Sequence, residues 1–229
     1  MRVIALALAA MAGCGGATST GSGRERVELG KIPEGVLMRE QQPRFSPETL
    51  MLASRESAEI WIPLALLSEI EADLVAIRKT YPQLAAFEVP IFMPDMLLVT
   101  LKPDAPFADA WKAGRLESGE AELDAALRHF NAVSVRRSYS TTVEVHFAQS
   151  LNLERLGPVI EATSPTIEMA FGSSNAIMGP ELHRSKAADA RTYTFIAGCG
   201  VPDGCTDRHT WIVRFAPGGG PTMRETITP

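Results

Sequence analysis

One apolar stripe predicts the first long helix of the chain. Its members follow one another at intervals of three and four residues, which places them on one face of an α-helix. They are Leu67, Ile70, Leu74, Ile77 and Tyr81. We expect this helix to span about 57–81 and to end at Pro82. Residues 24–56 are polar, contain prolines and show no sustained period, so 24–94 is predicted to be an irregular lead-in followed by an amphipathic helix.

The region 95–172 alternates between strand and helix patterns. Short apolar or alternating runs predict four strands, and helical spacing of apolar residues predicts two helices. The strands fall at about 97–102, 133–137, 141–147 and 166–171, and the helices at about 120–131 and 153–160. The order β-α-β-β-α-β is that of the ferredoxin-like fold, an α+β arrangement with a four-stranded antiparallel sheet. Two helices cover one face of such a sheet and leave the other available.

Alternation along two of these strands predicts which side chains face the core. In the third strand we expect Val143, Val145 and Phe147 to be buried. The intervening side chains should point outward and form a candidate partner face; they are Thr142, Glu144 and His146. A shift of one residue would exchange the two sets, so the pattern determines the face. In the fourth strand, the inward set is predicted to be Ile167, Met169 and Phe171.

The C-terminal region 173–229 opens with a linker rich in Ser, Asn, Gly and Pro. Two strand candidates follow at 191–198 and 208–216, and a third short strand is expected at 222–228. The first two flank the segment CGVPDGC, which is rich in turn-forming residues. We therefore expect a C-terminal β-hairpin that packs on the preceding domain.

The N-terminus has the pattern of a secretory signal peptide. A basic start, Met1-Arg2, precedes an apolar run of about ten residues that is too short to span a membrane. The end of the run, Met11-Ala12-Gly13-Cys14, resembles the bacterial lipobox. The resemblance implies that 1–13 is a signal peptide cleaved after Gly13 and that Cys14 carries diacylglycerol. The alternative is an ordinary signal peptide with an incidental cysteine.

A lipidated Cys14 would place the protein in the bacterial cell envelope. Residues 14–23, which contain the Gly/Ser-rich segment GGATSTGSG, would form a flexible lipidated tether. We expect contact with the membrane only through the lipid anchor. Gly15, rather than Asp, after the cysteine favours the outer membrane if the host has two membranes.

The three cysteines are consistent with export. If Cys14 carries lipid, Cys199 and Cys205 remain, separated by a Pro-Asp-Gly turn. In an exported protein such a pair indicates a disulfide, which persists outside the cytosol. The alternative is a metal site formed by these two cysteines and His209, with Asp203 or Asp207 as a further candidate ligand. Its spacing, C-x5-C-x3-H, is not a familiar zinc pattern and no fourth strong ligand is evident, so we expect a disulfide and no metal.

Composition and motifs exclude several classes of function. The chain has 229 residues, of which 45% are hydrophobic, so a sizeable core is expected. Its net charge of −5 argues against nucleic-acid binding. None of the familiar catalytic patterns is present: there is no Gly-x-Ser-x-Gly elbow, no His-Glu-x-x-His and no phosphate-binding glycine loop. We therefore expect no catalytic residues, no cofactor and no enzymatic activity.

Two segments of the predicted sheet resemble a known family. Leu-Leu-Val-Thr-Leu-Lys-Pro at 97–103 and Ser-Pro-Thr-Ile-Glu-Met-Ala-Phe at 164–171 are similar to the ends of subtilisin-like protease propeptides, the fervidolysin-like variety in particular. The resemblance covers about 75 residues of the chain. It implies a ferredoxin-like module whose exposed sheet face packs on a protease. The chain departs from the family in a longer segment at 104–119 and in Phe171-Gly172-Ser173, and none of the protease's own motifs follows.

The sequence thus predicts two functions of different classes. The broader prediction is a membrane-anchored envelope lipoprotein that acts as a non-catalytic protein-binding or structural module. The alternative is a stand-alone propeptide-like inhibitor or chaperone of a subtilisin-like serine protease. The propeptide resemblance assigns partner contact to the outward face of the predicted sheet, whereas the broader prediction depends on the anchor, the added helix and the added disulfide hairpin.

Overall fold

A computed structural model describes residues 27–89, 93–172, 180–188, 190–198 and 207–228. The protein is an α+β structure with two antiparallel four-stranded sheets and two hydrophobic cores. The helices are α1 (Pro47–Glu56), α2 (Leu64–Thr80), α3 (Ala108–Lys112), α4 (Ala121–His129) and α5 (Leu153–Thr163). The strands are β1 (Met96–Leu101), β2 (Ala132–Arg137), β3 (Thr142–Phe147), β4 (Ile167–Gly172), β5 (Glu181–Ala187), β6 (Ala190–Ala197), β7 (Arg208–Phe215) and β8 (Pro221–Thr228).

The first sheet has the strand order β2-β3-β1-β4, and all its neighbours are antiparallel. Its four strands begin and end within one residue of the predicted positions. The helices α4 and α5 confirm the two predicted helices, and α3 is an additional short helix that buries Trp111 in the core. Side chains from α3, α4 and α5 pack together with the inner face of the sheet, where Val99, Val143 and Val145 are fully buried.

Alternation in β3 follows the prediction. Val143, Val145 and Phe147 are buried, and the three polar residues between them lie on the other face and are half-buried. These three are Thr142, Glu144 and His146.

For β4 the predicted face is wrong for two of three residues. Ile167 points inward, but Met169 is 47% exposed and Phe171 is 39% exposed. The cause is a register shift: Thr100 pairs with Met169, whereas the next residue, Leu101, pairs with Ile167. This irregularity adds one residue to β4 and moves the following side chains to the opposite face.

The second sheet has the order β5-β6-β7-β8. The strands β6, β7 and β8 confirm the predicted strand candidates, but they do not form a lone hairpin. The expectation that the region opens with a linker is wrong for 181–187, which form the edge strand β5 and pair along their whole length with β6. A four-stranded sheet can bury one complete face, which a hairpin cannot.

The helices α1 and α2 cover that face. The predicted stripe of α2 is confirmed, because Leu67, Ile70, Leu74 and Ile77 are fully buried. They pack with Tyr193, Phe195, Val213 and Phe215 of the second sheet. This helix therefore belongs to the core of the C-terminal strands, and the first sheet has its own core.

Two expectations for the N-terminal region are corrected. The lead-in 24–56 is not wholly irregular, since 47–56 form α1, which begins with Pro47 behind a capping Ser46 whose Oγ accepts a hydrogen bond from Thr49 N at 3.3 Å. The helix predicted from residue 57 begins only at Leu64. Trp61 packs in the first core and its neighbour Ile62 in the second, so the chain crosses between the cores just before Pro63.

Replacing Val145 by alanine should destabilise the first sheet. Val145 is fully buried and lies between Leu97 of β1 and Val135 of β2. The lost burial and the resulting cavity should cost about 1–3 kcal/mol of unfolding free energy in urea denaturation. Glu144→Ala, one residue away on the other face, is the control and should change stability little. Equal losses in the two variants would contradict the assignment of the faces.

Candidate functional site

The outer face of the first sheet is built by the cross-strand register of its four strands. Glu144 of β3 lies opposite Leu98 of β1 and Arg136 of β2. Two residues before Glu144 in β3, Thr142 lies opposite Thr100, and their Oγ1 atoms are 3.3 Å apart. The three residues predicted to form a partner face are therefore side by side in the middle of this surface, which we call the open face.

The open face also carries apolar side chains that the sequence had placed inside. Leu98 lies opposite Phe171, and Thr100 lies opposite Met169. Both β4 side chains are more than one third exposed, because the irregularity in that strand turns them away from the core. An alternating pattern alone carries no signal for this irregularity. The open face thus combines two exposed apolar groups on its edge strand β4 with a polar centre on β3.

The polar centre consists of an acid and a histidine two residues apart on one strand. Nε2 of His146 lies 3.5 Å from a carboxylate oxygen of Glu144, and both side chains are partly shielded from water, with 20% and 28% of their surfaces exposed. His146 Nε2 makes no hydrogen bond within the described part of the chain. Nε2 of His146 is itself shielded from solvent, so the Glu144 carboxylate is the group of this pair that can accept hydrogen bonds from a partner. The described residues around the pair include no serine or cysteine nucleophile bonded to the histidine.

A second polar cluster lies buried between α2 and the second sheet. Asp73 is 5% exposed and accepts two hydrogen bonds from Arg191, at 2.6 and 2.9 Å. The Tyr193 hydroxyl donates a third, at 2.9 Å. Burial raises the pKa of Tyr193. The charge of Arg184 lowers this pKa and the charge of Asp73 raises it, and the net result is a raised pKa. The phenol therefore stays protonated and serves as a donor to the carboxylate.

The cluster continues through Arg184, whose side chain is 1% exposed. Its Nε donates to the Tyr193 hydroxyl at 2.9 Å, and its other nitrogens bind Glu56 of α1 and Glu69 of α2. Lys186 also binds Glu69, at 3.1 Å. Because each carboxylate faces a cation from the sheet, the cluster attaches both helices to β5 and β6. Its geometry explains how α1 and α2 are held on the sheet.

The ion pairs of Glu69 predict a loss of stability in acid. Burial by itself would raise the pKa of Glu69, but Lys186 and Arg184 outweigh it and lower the pKa below 4.5. Glu69 therefore binds a proton more readily in the unfolded chain than in the folded one. The unfolding free energy should decline as the pH falls below 4.5 and passes through the lower pKa of Glu69 in the folded chain.

Glu69→Gln removes this titration. The variant should be less stable than the wild-type chain at pH 7, and its stability should change less between pH 7 and pH 3 when both are followed by urea unfolding. Lys186→Gln removes one of the cations that lower the pKa of Glu69, and it should also make the unfolding free energy less dependent on pH. A wild-type pH dependence in both variants would contradict this account.

The remaining predicted site residues fall outside this geometry. Cys14, Cys199 and Cys205 lie outside the described residues, so lipidation and the disulfide stay predictions. His209, the third member of the alternative metal site, stacks on Trp211 with ring centroids 5.5 Å apart and has Nδ1 3.3 Å from Glu225. Across the described ranges, no group of three or more His, Cys, Asp or Glu side chains is arranged to hold a metal ion.

Among the described residues, no helix has both the length and the apolar character needed to cross a bilayer.

Comparison with known proteins returns no relative. No family model matches the chain, and neither a curated protein nor a solved structure matches it significantly.

Proposed function

We propose that this protein is a lipid-anchored, non-catalytic component of the bacterial cell envelope that binds a protein partner through its open face. The observation that carries the proposal is the composition of that face. Met169 and Phe171 expose apolar surface beside the polar centre formed by Glu144 and His146. Exposed apolar side chains bordered by polar groups are typical of surfaces that bind other proteins.

We also propose that residues 95–172 form a ferredoxin-like module. Its support is the strand order β2-β3-β1-β4 together with helical connections between β1 and β2 and between β3 and β4. In this arrangement the helices occupy one face, and partner binding is left to the other. The tether 14–23 would connect the module to a lipidated Cys14, in the outer membrane if the host has two membranes.

A sharper candidate for the partner is a subtilisin-like serine protease, which the protein would inhibit or assist in folding. Two observations favour it. The segments 97–103 and 164–171, which resemble the propeptide family, form the adjacent strands β1 and β4 at the centre and edge of one sheet. The surface that the family uses for its protease corresponds to the open face.

Charge introduced on the open face should abolish partner binding. In Met169→Lys/Phe171→Lys, two exposed side chains become cations without disturbing the core. The matched control is Ile32→Lys/Val75→Lys, which alters two apolar residues of similar exposure elsewhere. Binding is measured as inhibition of a panel of subtilisin-like proteases at micromolar protein and as quantitative capture of envelope proteins on the immobilised chain.

The outcomes separate the two candidates. Inhibition lost in the open-face variant and kept in the control supports the protease as partner. A captured protein lost in the same way, without inhibition, supports the broader binding function alone. Equal behaviour of the two variants in both measurements would contradict the assignment of binding to this face.

Lipidation is tested by replacing its acceptor. Cys14→Ser should prevent attachment of diacylglycerol and cleavage after Gly13. The chain should therefore keep the mass of its precursor, and no chain of the mature mass should be found in the membrane fraction. Intact mass spectrometry of fractionated cells is the measurement. An unchanged mature mass and unchanged membrane association would refute the anchor.

A further inference from the structure

A cavity of about 420 Å³ lies beside the first sheet, where three segments of the chain meet. Its described walls come from 38–40, from 128 and 131–133 at the junction of α4 and β2, and from 148–149 directly after β3. We call it the β2 cavity. Sites for small ligands typically enclose about 300–1,000 Å³, so this volume suits one or two amino-acid residues.

Hydrogen bonds hold the three segments together. Ala148 N donates to Asn131 O at 2.9 Å. Ser150 N donates to Oε1 of Gln42 at 2.7 Å, which attaches the short 3-10 helix Arg39–Arg44 to the segment after β3. Asn131 has a φ of +56°, a left-handed conformation that asparagine adopts more readily than most residues, and it turns the chain from α4 into β2. The walls of the β2 cavity are therefore fixed by the fold.

Gln149 contributes an unpaired amide to this wall. The residue is 1% exposed, and within the described part of the chain neither its Oε1 nor its Nε2 has a hydrogen-bond partner. Buried carboxamides are normally paired, because an unpaired donor or acceptor away from water costs free energy. Both atoms are closed to solvent here, and no hydrogen bond opposes rotation of the side chain toward the cavity. A ligand with an amide of its own can supply the missing donor and acceptor.

The charges around the β2 cavity favour an anion. Among the described residues that line it, the charged ones are Arg39, Glu40 and Arg128, and all three are exposed. Two guanidinium groups and one carboxylate leave a single net positive charge, in a chain whose net charge is −5. Because arginine binds a carboxylate through paired, charge-assisted hydrogen bonds, a ligand with one carboxylate balances this charge.

Two exposed apolar side chains also line the β2 cavity. Met38 is 36% exposed and Val133 is 55% exposed. Val133 is an extra residue in β2, since Ala132 pairs with Phe147 and Ser134 pairs with the preceding His146. Such a bulge redirects a side chain out of the regular alternation. The cavity therefore offers apolar contact next to its charged and amide groups.

We propose that the β2 cavity binds the carboxyl-terminal end of a peptide. The terminal carboxylate pairs with Arg39 and Arg128, the last peptide group bonds to the amide of Gln149, and an apolar terminal side chain packs on Met38 and Val133. A carboxylate, an amide and an apolar group occur together at the end of a peptide, whereas an internal segment lacks the carboxylate. The described lining residues are separate from the open face, so the proposal does not depend on the partner of that face.

Acetyl-alanyl-leucine is the probe, because it carries all three groups. Two analogues each lack one of them. Acetyl-alanyl-leucinamide has no carboxylate, and isocaproate keeps the carboxylate and the branched apolar chain but has no amide. The full chain, labelled with a heavy nitrogen isotope, is titrated with each compound at millimolar concentration and followed by NMR, in which the side-chain amide signal of Gln149 reports its own hydrogen bonding.

The test variants are Gln149→Met and Arg128→Gln, and the matched controls are Gln83→Met and Arg155→Gln, at exposed positions outside the cavity. Gln149→Met keeps the length of the side chain and removes the amide. It should weaken binding of the peptide about 10-fold and leave the free chain at least as stable as the wild type, because no hydrogen bond of the free chain is lost. Arg128→Gln should also weaken binding about 10-fold.

We expect both analogues to bind at least about 10-fold more weakly than the peptide, and both controls to bind it as the wild-type chain does. Absence of peptide binding, or equal binding of either analogue, would overturn the proposal. Wild-type affinity in Gln149→Met would do the same. A loss of stability in Gln149→Met would show that its amide is already paired in the free chain, which also contradicts the proposal. Arg128→Gln alters an exposed side chain and tests the carboxylate contact independently of the core.

Discussion

Gly157→Ala should unfold the first sheet or destabilise it severely. Gly157 lies inside α5, where α5 crosses β4 so closely that an added Cβ would stand 2.2 Å from the carbonyl oxygen of Ala170. The obstacle is backbone, so rotation of a side chain cannot relieve the clash. Alanine usually stabilises a helix relative to glycine by about 1 kcal/mol. Here we expect a net loss of about 3 kcal/mol or more of unfolding free energy, measured by urea denaturation.

The matched control is Gly220→Ala. No atom lies within 4 Å of the position that its Cβ would occupy, so this substitution should leave stability nearly unchanged. If Gly157→Ala were as stable as Gly220→Ala, the close packing of α5 on β4 would be incorrect. The same contact includes Glu161, whose carboxylate accepts a hydrogen bond from Ala170 N at 2.7 Å and so covers the edge of β4.

Asp73→Ala should have a comparably large effect on the second sheet. Asp73 accepts hydrogen bonds from Arg191 and Tyr193 in a site where it is almost fully buried. Its removal would leave the buried tyrosine hydroxyl and the arginine without their carboxylate. Breaking a buried pair on one side typically costs 3–5 kcal/mol, and because Arg191 is 31% exposed we expect about 3 kcal/mol.

Asp104→Ala provides the comparison, because Asp104 is an exposed aspartate in a loop of the other half of the molecule. It should alter the unfolding free energy by less than about 0.5 kcal/mol. A second variant, Tyr193→Phe, keeps the ring in the core and the Asp73–Arg191 ion pair, and removes one donor to Asp73 and the acceptor of Arg184 Nε. It should cost less than Asp73→Ala. A small effect of Asp73→Ala would mean that the cluster contributes little to the attachment of α2.

The patterns that predicted structure correctly are local. The stripe of α2 and the alternation of β3 each depend on a repeat that neighbouring residues display, and burial of Leu74 and Val145 follows from it. The element order of 95–172 also follows from local periods. None of these patterns specifies which elements pack together, and the sequence could not show that α2 covers the C-terminal strands.

The errors arose where distant residues decide the outcome. Nothing in 166–171 signals the register shift that turns Met169 and Phe171 outward, since it depends on pairing with Thr100 and Leu101. Residues 181–187, ELHRSKA, lack a continuous apolar run, and they form a strand because β6 offers an unpaired edge and Arg184 finds two carboxylates on the helices. The polar centre of the open face was predicted, whereas the exposed apolar groups on β4 were not.

Photo-crosslinking in living cells tests the central proposal, partner binding through the open face, most directly. A photoreactive benzoylphenylalanine is placed at Thr100, whose side chain lies between Thr142 and Met169 on that face, and in a second strain at the exposed Ala113. We predict that irradiation joins the Thr100 variant to one discrete protein and that Met169→Lys/Phe171→Lys in the same chain abolishes the adduct. Absence of an adduct from position 100, or the same adduct from position 113, would contradict the proposal.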